Sequence, residues 1–208
     1  MGKPKIMVAV PCMETIPYQT VVSLMALQAD AELHLEFISG SLVYDARNQF
    51  CEKAVNEGYD YLMFIDSDMT FPANTITTLL RHDADIATAV CYGRIGTHSP
   101  QVYVDMKPKG LFRKEPLCKR AENINGVFPI KACGMACCLI KTNVIRKAIK
   151  KYGYPFEPFG GLGEDFAFCY RINKLGAWMV ADASIPIGHI GVTEYTAKDW
   201  VKDTPTPL

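Results

Sequence analysis

Short apolar runs alternate with amphipathic segments through the first 92 residues of the chain. Apolar runs typical of buried strands lie at residues 5–11, 33–39, 61–65 and 86–92. Segments with helical periodicity separate them, at residues 17–30, 43–57 and 72–81. Such regular alternation of strand and helix predicts a parallel, doubly wound α/β sheet with right-handed crossovers.

The remainder of the chain is less regular. Residues 93–122 are polar, basic and interrupted by prolines, which predicts loops and hairpins. Further short strands are predicted at residues 127–130, 137–140, 177–181 and 185–187. Helices are predicted at 142–152, with Thr142 as N-cap, and at 164–175. We therefore expect one domain over residues 1–208, with a regular part (1–92), an irregular part (93–191) and a C-terminal tail (192–208).

Composition indicates a globular protein whose core can form without disulfide bonds. Hydrophobic residues make up 49% of the chain, enough to bury a core. The eight cysteines show no C-x-x-C spacing, and several lie inside apolar runs, where cysteine packs as a small hydrophobe. No apolar run is long enough to span a bilayer, and the N-terminal run is too short for a signal peptide. These features predict a reduced, cytoplasmic protein.

Charge is balanced overall but uneven locally. Lys+Arg and Asp+Glu both number 22, so the net charge indicates no polyanionic partner. Basic residues nevertheless cluster between Lys107 and Arg120, where Glu115 is the single acidic residue. This basic patch is either a solvated loop or a contact for an anionic partner.

The Asp66-Ser67-Asp68 triplet directly follows the strongest predicted strand, residues 61–65. In doubly wound sheets, ligands bind beyond the carboxyl ends of the strands. Two carboxylates separated by one residue can both reach a hard divalent cation and its phosphate ligands. The alternative is a solvated turn in which one aspartate caps the next helix.

Three further positions are candidates for chemistry. Asp165, with Glu164, follows a glycine-rich loop at a predicted helix start, where it is either a general base or a favourable helix-terminal charge. His189 lies in a Gly-His-Ile-Gly segment, and is either a metal ligand or a hydrogen-bonded structural residue. Arg47 begins a helical segment and is either a phosphate or nucleobase contact or a surface salt-bridge residue.

Taken together and in order, these segments resemble the GT-A glycosyltransferases, specifically the family 2-like branch. The matching segments are IMVAVPC, ARN, FIDSDM, ACGMACCLIK, GLGEDFAFCYR and GHIG, which span residues 5–191. The resemblance implies a GT-A type α/β fold, with a Rossmann-like, mainly parallel sheet flanked by helices. It also implies that residues 1–92 bind the nucleotide and that residues 93–191 form the acceptor side.

The resemblance further implies roles for individual residues. Asp68 and His189 would be direct ligands of Mn²⁺ or Mg²⁺, and Asp66 would also belong to the metal site, beside the ribose and the metal-bound diphosphate. Asp165 would be the base of an inverting displacement, supported by Glu164. The residues that would contact the donor are Pro11, Glu14, Arg47, Asp66, Ser67, Gly134, Met135 and Ala136. The implied donor is a nucleotide diphosphate sugar, UDP-sugar foremost, and the acceptor is a hydroxyl of a saccharide or of a modified DNA base.

Alternatives remain open at this point. Retaining GT-A enzymes share the D-x-D triplet and the C-terminal histidine, so only the Glu164-Asp165 pair favours inversion. The Q-x-x-R-W motif of processive enzymes is absent, which argues against processive polysaccharide synthesis. A nucleotidyltransferase of similar fold would need a glycine-rich, basic loop after the first strand, where this chain has PCMETIP. A non-enzymatic module that binds nucleotide-sugars or DNA through the basic patch is the third alternative.

Overall fold

The computed structural model describes residues 2–94, 97–108, 117–191 and 194–199. Its strands are β1 (Lys5–Cys12), β2 (Glu32–Ser39), β3 (Tyr61–Ile65), β4 (Met69–Thr70), β5 (Ile86–Ala89), β6 (Val102–Lys107), β7 (Leu117–Arg120), β8 (Val127–Pro129), β9 (Ala132–Cys133), β10 (Cys137–Lys141), β11 (Met179–Asp182), β12 (Gly188–Ile190) and β13 (Glu194–Tyr195). Its helices are α1 (Tyr18–Met25), α2 (Val43–Asn56), α3 (Thr75–Leu80), α4 (Thr142–Tyr152) and α5 (Glu164–Asn173), followed by a 3₁₀ turn at Ala197–Asp199.

The central sheet has seven strands in the order β2-β1-β3-β10-β5-β11-β8. β1, β2, β3, β5 and β11 run in one direction, and β10 and β8 run against them. The predicted sheet of mainly parallel strands is therefore confirmed. The first four predicted strands do not form a continuous parallel sheet, however, because β10 from the second part of the chain lies between β3 and β5.

Several predicted boundaries agree with the structure. β3 and α4 match their predicted residues, and α2 ends one residue before its predicted end. α1 and α3 are shorter than predicted, and β6 and β7 pair antiparallel within the segment for which loops and hairpins are predicted. The two-residue strands β4 and β9 are too short to leave a pattern in the sequence.

Two local predictions are wrong. Residues 185–187 are not a strand, and the strand that carries His189 begins at Gly188. Thr142 is not an N-cap, because β10 runs directly into α4 and Lys141 occupies the cap position. The Thr142 N–H instead donates to the carbonyl of Asp60 at 2.9 Å, which ties the start of α4 to the loop before β3.

The central strand β3 contributes to the cores on both faces of the sheet. Leu62 and Phe64 pack on the side of α2, α4 and α5, and Met63 and Ile65 pack on the side of α1 and α3. Because all four side chains are fully buried, β3 is a continuous apolar run, as expected for a strand covered on both faces. The residues that follow it are thereby held at a fixed position at the sheet's carboxyl edge.

The cysteines pack as predicted. All eight are free thiols, and most are buried. Burial raises the pKa of Cys137 to about 12, so this thiol stays protonated at neutral pH. Among the described residues, no helix is long and apolar enough to cross a membrane. The cytoplasmic location stays a prediction.

Asp182, the last residue of β11, anchors the turn that leads to β12. Its carboxylate accepts hydrogen bonds from the Ser184 N–H at 2.8 Å, the Ser184 hydroxyl at 2.6 Å and the His82 imidazole at 2.8 Å. Burial by itself would raise the pKa of Asp182, but these hydrogen bonds outweigh it and hold the pKa below its ordinary value. The ionised carboxylate therefore stabilises the fold.

We expect Asp182→Asn to destabilise the protein by about 1–3 kcal/mol at neutral pH, because hydrogen bonds to a buried charge are lost. Since the pKa of Asp182 is lower in the folded chain, its contribution is complete above about pH 4 and is lost as the pH falls through the folded value. Urea unfolding at several pH values should show the difference from wild type shrinking in acid. Asp30→Asn, at an exposed position, is the control. If the difference in unfolding free energy between wild type and Asp182→Asn stayed constant down to pH ~3, ionisation of Asp182 would not be the source of the stability.

Candidate active site

The predicted triplet lies at the carboxyl end of β3 and is tied there by two backbone contacts. The Asp66 N–H donates to the carbonyl of Ala136 at 3.0 Å, and the carbonyl of Asp68 accepts from the Ile190 N–H at 2.7 Å. The second contact belongs to the antiparallel pairing of β4 with β12, in which His189 lies opposite Met69. This pairing brings His189 to the triplet from the far end of the described chain.

Asp68 and His189 face each other across this pairing. His189 Nε2 lies 3.4 Å from Asp68 Oδ1, and His189 Nδ1 donates to the carbonyl of Tyr92 at 2.8 Å. The bond to Tyr92 fixes the orientation of the ring, so that Nε2 is the nitrogen directed at the carboxylate. Burial lowers the pKa of His189, but the Asp68 carboxylate and the Tyr92 carbonyl outweigh it and raise the pKa above its ordinary value.

Arg94 also contacts Asp68, although it belongs to none of the motifs in the sequence. Its guanidinium lies 2.9 Å from Asp68 Oδ2 and donates to the carbonyl of Ile190 at 3.4 Å. The Arg94 side chain is 48% exposed, so it borders solvent as well as the triplet. Arg94 could have been predicted as a site residue from its position just after the apolar run 86–92, because residues that follow parallel strands lie at the ligand-binding edge of the sheet.

Arg47 is a buried bridge between the two acidic motifs. Its side chain is 3% exposed and lies 3.0 Å from Asp66 Oδ1. The same guanidinium forms an ion pair with Asp165 and lies 3.8 Å from Glu164 Oε1. The alternative of a surface salt-bridge residue is therefore wrong, because α2 turns Arg47 into the interior. Its predicted contact with the nucleotide stays a prediction.

Asp165 lies in the first turn of α5 and faces the segment before β10. Its Oδ2 accepts a hydrogen bond from the Met135 N–H at 3.2 Å. Gly134 also lies against Asp165, because a Cβ atom at position 134 would be 3.7 Å from Asp165 Oδ2. Residues 134–136 thus touch both acidic motifs, through Met135 on one side and through Ala136, which binds Asp66, on the other.

These groups share one cleft of about 410 Å³. Its lining residues are Asp66, Cys91, Tyr92, Gly93, Arg94, Gln101, Gly134, Met135, Ala136, Asp165, Phe166 and His189. Most of the predicted site residues therefore lie on it or contact its walls. Pro11, at the carboxyl end of β1, and the exposed Glu14 beyond it are not among the lining residues, and Ser67 is half-buried beside it. Their roles stay predictions.

Comparison with known proteins identifies the family. The model of the family described as Glycosyl transferase family 2 matches residues 39–147, more than half of the chain. The chain belongs to glycosyltransferase family 2. The matched range contains Arg47, the Asp66–Asp68 triplet and residues 134–136, and it ends before Glu164 and His189. Membership favours glycosyl transfer over the nucleotidyltransferase and the non-enzymatic alternatives.

Structural comparison agrees with the fold that the sequence predicts for this glycosyltransferase. The crystal structure of A197 from STIV superposes with a TM-score of 0.65, covering 98% of this chain and 97% of that one, at 16% identity. At that identity the similarity concerns the fold, which is the GT-A type. No curated protein sequence matches this chain.

The charges of this family 2 site suit a bound cation. The carboxylates of Asp66, Asp68, Glu164 and Asp165 outnumber the guanidinium groups of Arg47 and Arg94. Excess negative charge in a partly buried cleft is costly unless a cation neutralises it. The carboxylates of Asp68 and Asp66 provide the oxygen ligands that Mg²⁺ and Mn²⁺ prefer.

Asp68 and His189 fit a divalent ion as a ligand pair. Their facing atoms, His189 Nε2 and Asp68 Oδ1, are 3.4 Å apart, and an imidazole nitrogen and a carboxylate oxygen are both ligand types that such cations accept. Among the described residues, no group of three or more His, Cys, Asp or Glu side chains is arranged to hold a metal ion. The glycosyltransferase would therefore supply an incomplete ligand set, which phosphate oxygens and water complete at many Mg²⁺ sites.

We expect Arg47→Met to destabilise the protein by about 1–3 kcal/mol, because Asp66 and Asp165 lose their shared counter-ion while remaining partly buried. Denaturant unfolding at neutral pH measures this, and Arg47→Lys should restore only part of the loss, since an ammonium cannot span both carboxylates as a guanidinium does. Arg146→Met, on the exposed face of α4, is the matched control. Equal stability of Arg47→Met and Arg146→Met would show that the bridge does not hold the two motifs.

Proposed function

We propose that this family 2 glycosyltransferase is metal-dependent and inverting, and that it moves a sugar from a nucleoside diphosphate sugar to an acceptor hydroxyl. The observation that supports this is the shared cleft, which His189, Asp66 and Asp165 line. Asp68 contacts His189 at the cleft wall, and the buried Arg47 joins Asp66 to Asp165. A cation site for the leaving group and a carboxylate base for the nucleophile are the two groups that such a displacement needs.

On the donor side, Asp68 and His189 would hold Mn²⁺ or Mg²⁺. The cation would supply charge stabilisation for the nucleoside diphosphate that leaves as the glycosidic bond breaks. Asp66, held by Arg47, lines the same cleft and would orient the ribose and the diphosphate. UDP-sugar is the donor we propose, with Pro11 and Glu14 beside the base and residues 134–136 beside the sugar.

On the acceptor side, Asp165 would take the proton from the attacking hydroxyl. Its carboxylate is oriented by the Met135 N–H and by Arg47, so it is held at the cleft wall before the acceptor arrives. As the hydroxyl oxygen bonds to the anomeric carbon, its proton passes to Asp165 and the bond to the diphosphate oxygen breaks on the opposite face. Glu164, 3.8 Å from Arg47, would keep the guanidinium neutralised once Asp165 is protonated.

The two acidic motifs should give separable effects on substitution. Asp68→Asn should abolish stabilisation by Mn²⁺ together with UDP, because the cation loses its carboxylate ligand. Asp165→Asn should keep that stabilisation and lower turnover of a UDP-sugar by about 10²–10⁴-fold, because only the base is lost. Thermal shift with UDP, GDP and CDP, each with and without Mn²⁺, measures binding. Donor consumption measures turnover.

Asp30→Asn serves as the control for both variants, since Asp30 is an exposed residue paired only with Lys3 among the described contacts. Mn²⁺-dependent stabilisation that survives in Asp68→Asn would overturn the metal assignment. Full turnover by Asp165→Asn, or a product that retains the anomeric configuration of the donor by NMR, would overturn the inverting mechanism.

We also propose that Arg94 is a diphosphate contact that neutralises Asp68 until the donor binds. Arg94→Ala should therefore bind Mn²⁺ about 2–5-fold more tightly without nucleotide, because an exposed ion pair of about 0.5–1 kcal/mol no longer opposes the cation. The same variant should bind UDP more weakly in the presence of Mn²⁺, because a cation facing the diphosphate is lost. Isothermal titration calorimetry measures both changes in affinity, the gain for Mn²⁺ and the loss for UDP.

Arg146→Ala removes the same charge far from the cleft and should change neither affinity. If Arg94→Ala weakened Mn²⁺ binding, or left UDP binding as in wild type, Arg94 would not have this role.

A further inference from the structure

The outer edge of β2 is the feature of this protein that the proposed function does not use. β2 is the terminal strand of the seven-stranded sheet, and within the described residues it pairs only with β1. It is eight residues long, from Glu32 to Ser39. An uncovered edge of this length presents a row of backbone N–H and C=O groups that can pair with another strand.

The hydrogen-bonding pattern between β2 and β1 shows which residues of β2 direct their backbone groups to the open edge. The Glu32 N–H donates to the carbonyl of Pro4 at 2.9 Å, so Glu32 directs its backbone groups toward β1. In a parallel ladder, alternate residues bond to opposite neighbours. Leu33, Leu35 and Phe37 therefore direct their N–H and C=O groups to the open edge.

The same residues carry the apolar side chains of the edge. Leu35 and Phe37 pair in register with Val8 and Val10, so their side chains lie on the face that α1 and α3 cover. α1 packs against β4, and among the described residues the side chains of Leu35 and Phe37 at the end of the sheet stay partly open to solvent. Leu35 is 45% exposed and Phe37 is 47% exposed. Open backbone groups and exposed apolar side chains thus coincide along one edge.

We propose that this edge pairs with the β2 edge of a second copy of the chain, antiparallel and centred on Leu35. A two-fold axis perpendicular to the sheet keeps the α1 face of both copies on one side. Leu35 then lies opposite the partner's Leu35, and Leu33 lies opposite the partner's Phe37. Each of these pairs exchanges both backbone hydrogen bonds, because its members direct their N–H and C=O groups outward.

Charge on the opposite face selects this register. With the axis at Leu35, His34 lies opposite the partner's Glu36, and the partner's His34 lies opposite Glu36. These favourable cross-strand pairs would add to the contacts that His34 makes with Glu32 and Glu36 makes with Lys53 in each copy. An axis at Leu33 would oppose Glu36 with the partner's Asp30, two like charges. An axis at Phe37 would oppose Leu35 with the partner's Ser39 and lose the apolar row.

The pairing would join the two sheets into one continuous sheet. The cleft at the carboxyl end of β3 is separated from the interface by β1, and none of its lining residues belongs to β2. The dimer therefore leaves each cleft open, and it is independent of the proposed chemistry.

Sedimentation velocity over a range of concentrations tests the pairing on the full chain. We expect a monomer–dimer equilibrium for wild type and a monomer for Leu35→Lys, which opposes two ammonium groups on the axis. Val127→Lys is the matched control, because Val127 is 51% exposed on β8, the other terminal strand of the same sheet. It should dimerise as wild type does. Circular dichroism checks that both variants are folded.

Cross-linking tests the register. Directly opposed residues in a hydrogen-bonded antiparallel pair have Cα atoms about 5.5 Å apart, within the span of a disulfide. Leu35→Cys should therefore form a covalent dimer on mild oxidation, above the background of wild type and of Val127→Cys. A wild type that stays monomeric at every concentration, a dimer that persists in Leu35→Lys, or equal cross-linking of Leu35→Cys and Val127→Cys would each overturn the proposal.

Discussion

The bridge made by Arg47 is the interaction on which the candidate site depends. One guanidinium, buried on α2, contacts Asp66 after β3 and Asp165 at the start of α5. A fixed fork of donors can serve two carboxylates at once, and this holds together two motifs that lie about a hundred positions apart in the chain. Without such a counter-ion, the carboxylates would repel one another in a partly buried cleft.

The sheet order explains why the bridge can form. β10 lies between β3 and β5, which places the preceding residues 134–136 beside the carboxyl end of β3. From there, the backbone of Met135 binds Asp165 and the carbonyl of Ala136 binds Asp66. The two acidic motifs of the glycosyltransferase are thus joined by backbone groups as well as by Arg47. Backbone contacts of this kind leave no side-chain pattern in the sequence.

The opposite wall of the cleft is organised by short elements. The two-residue strand β4 pairs with β12, and this pairing brings His189 to Asp68 while Tyr92 orients the imidazole ring. Asp182 anchors the turn that leads into β12 through Ser184 and His82. Family membership supports glycosyl transfer, and its matched range ends before this wall, so the proposed role of His189 is supported by geometry.

The α/β class, the positions of β3, α2 and α4, and most residues of the candidate site can be predicted from the sequence alone. Hydrophobic periodicity and the position of acidic residues after a buried strand are local properties, so a single sequence can display them. Three features are visible only in the folded structure: β10 enters the sheet beside β3, Arg47 turns inward, and Arg94 contacts Asp68. These outcomes depend on contacts between distant segments, whose pairing and register are set by packing and charge across the whole domain rather than by any local pattern.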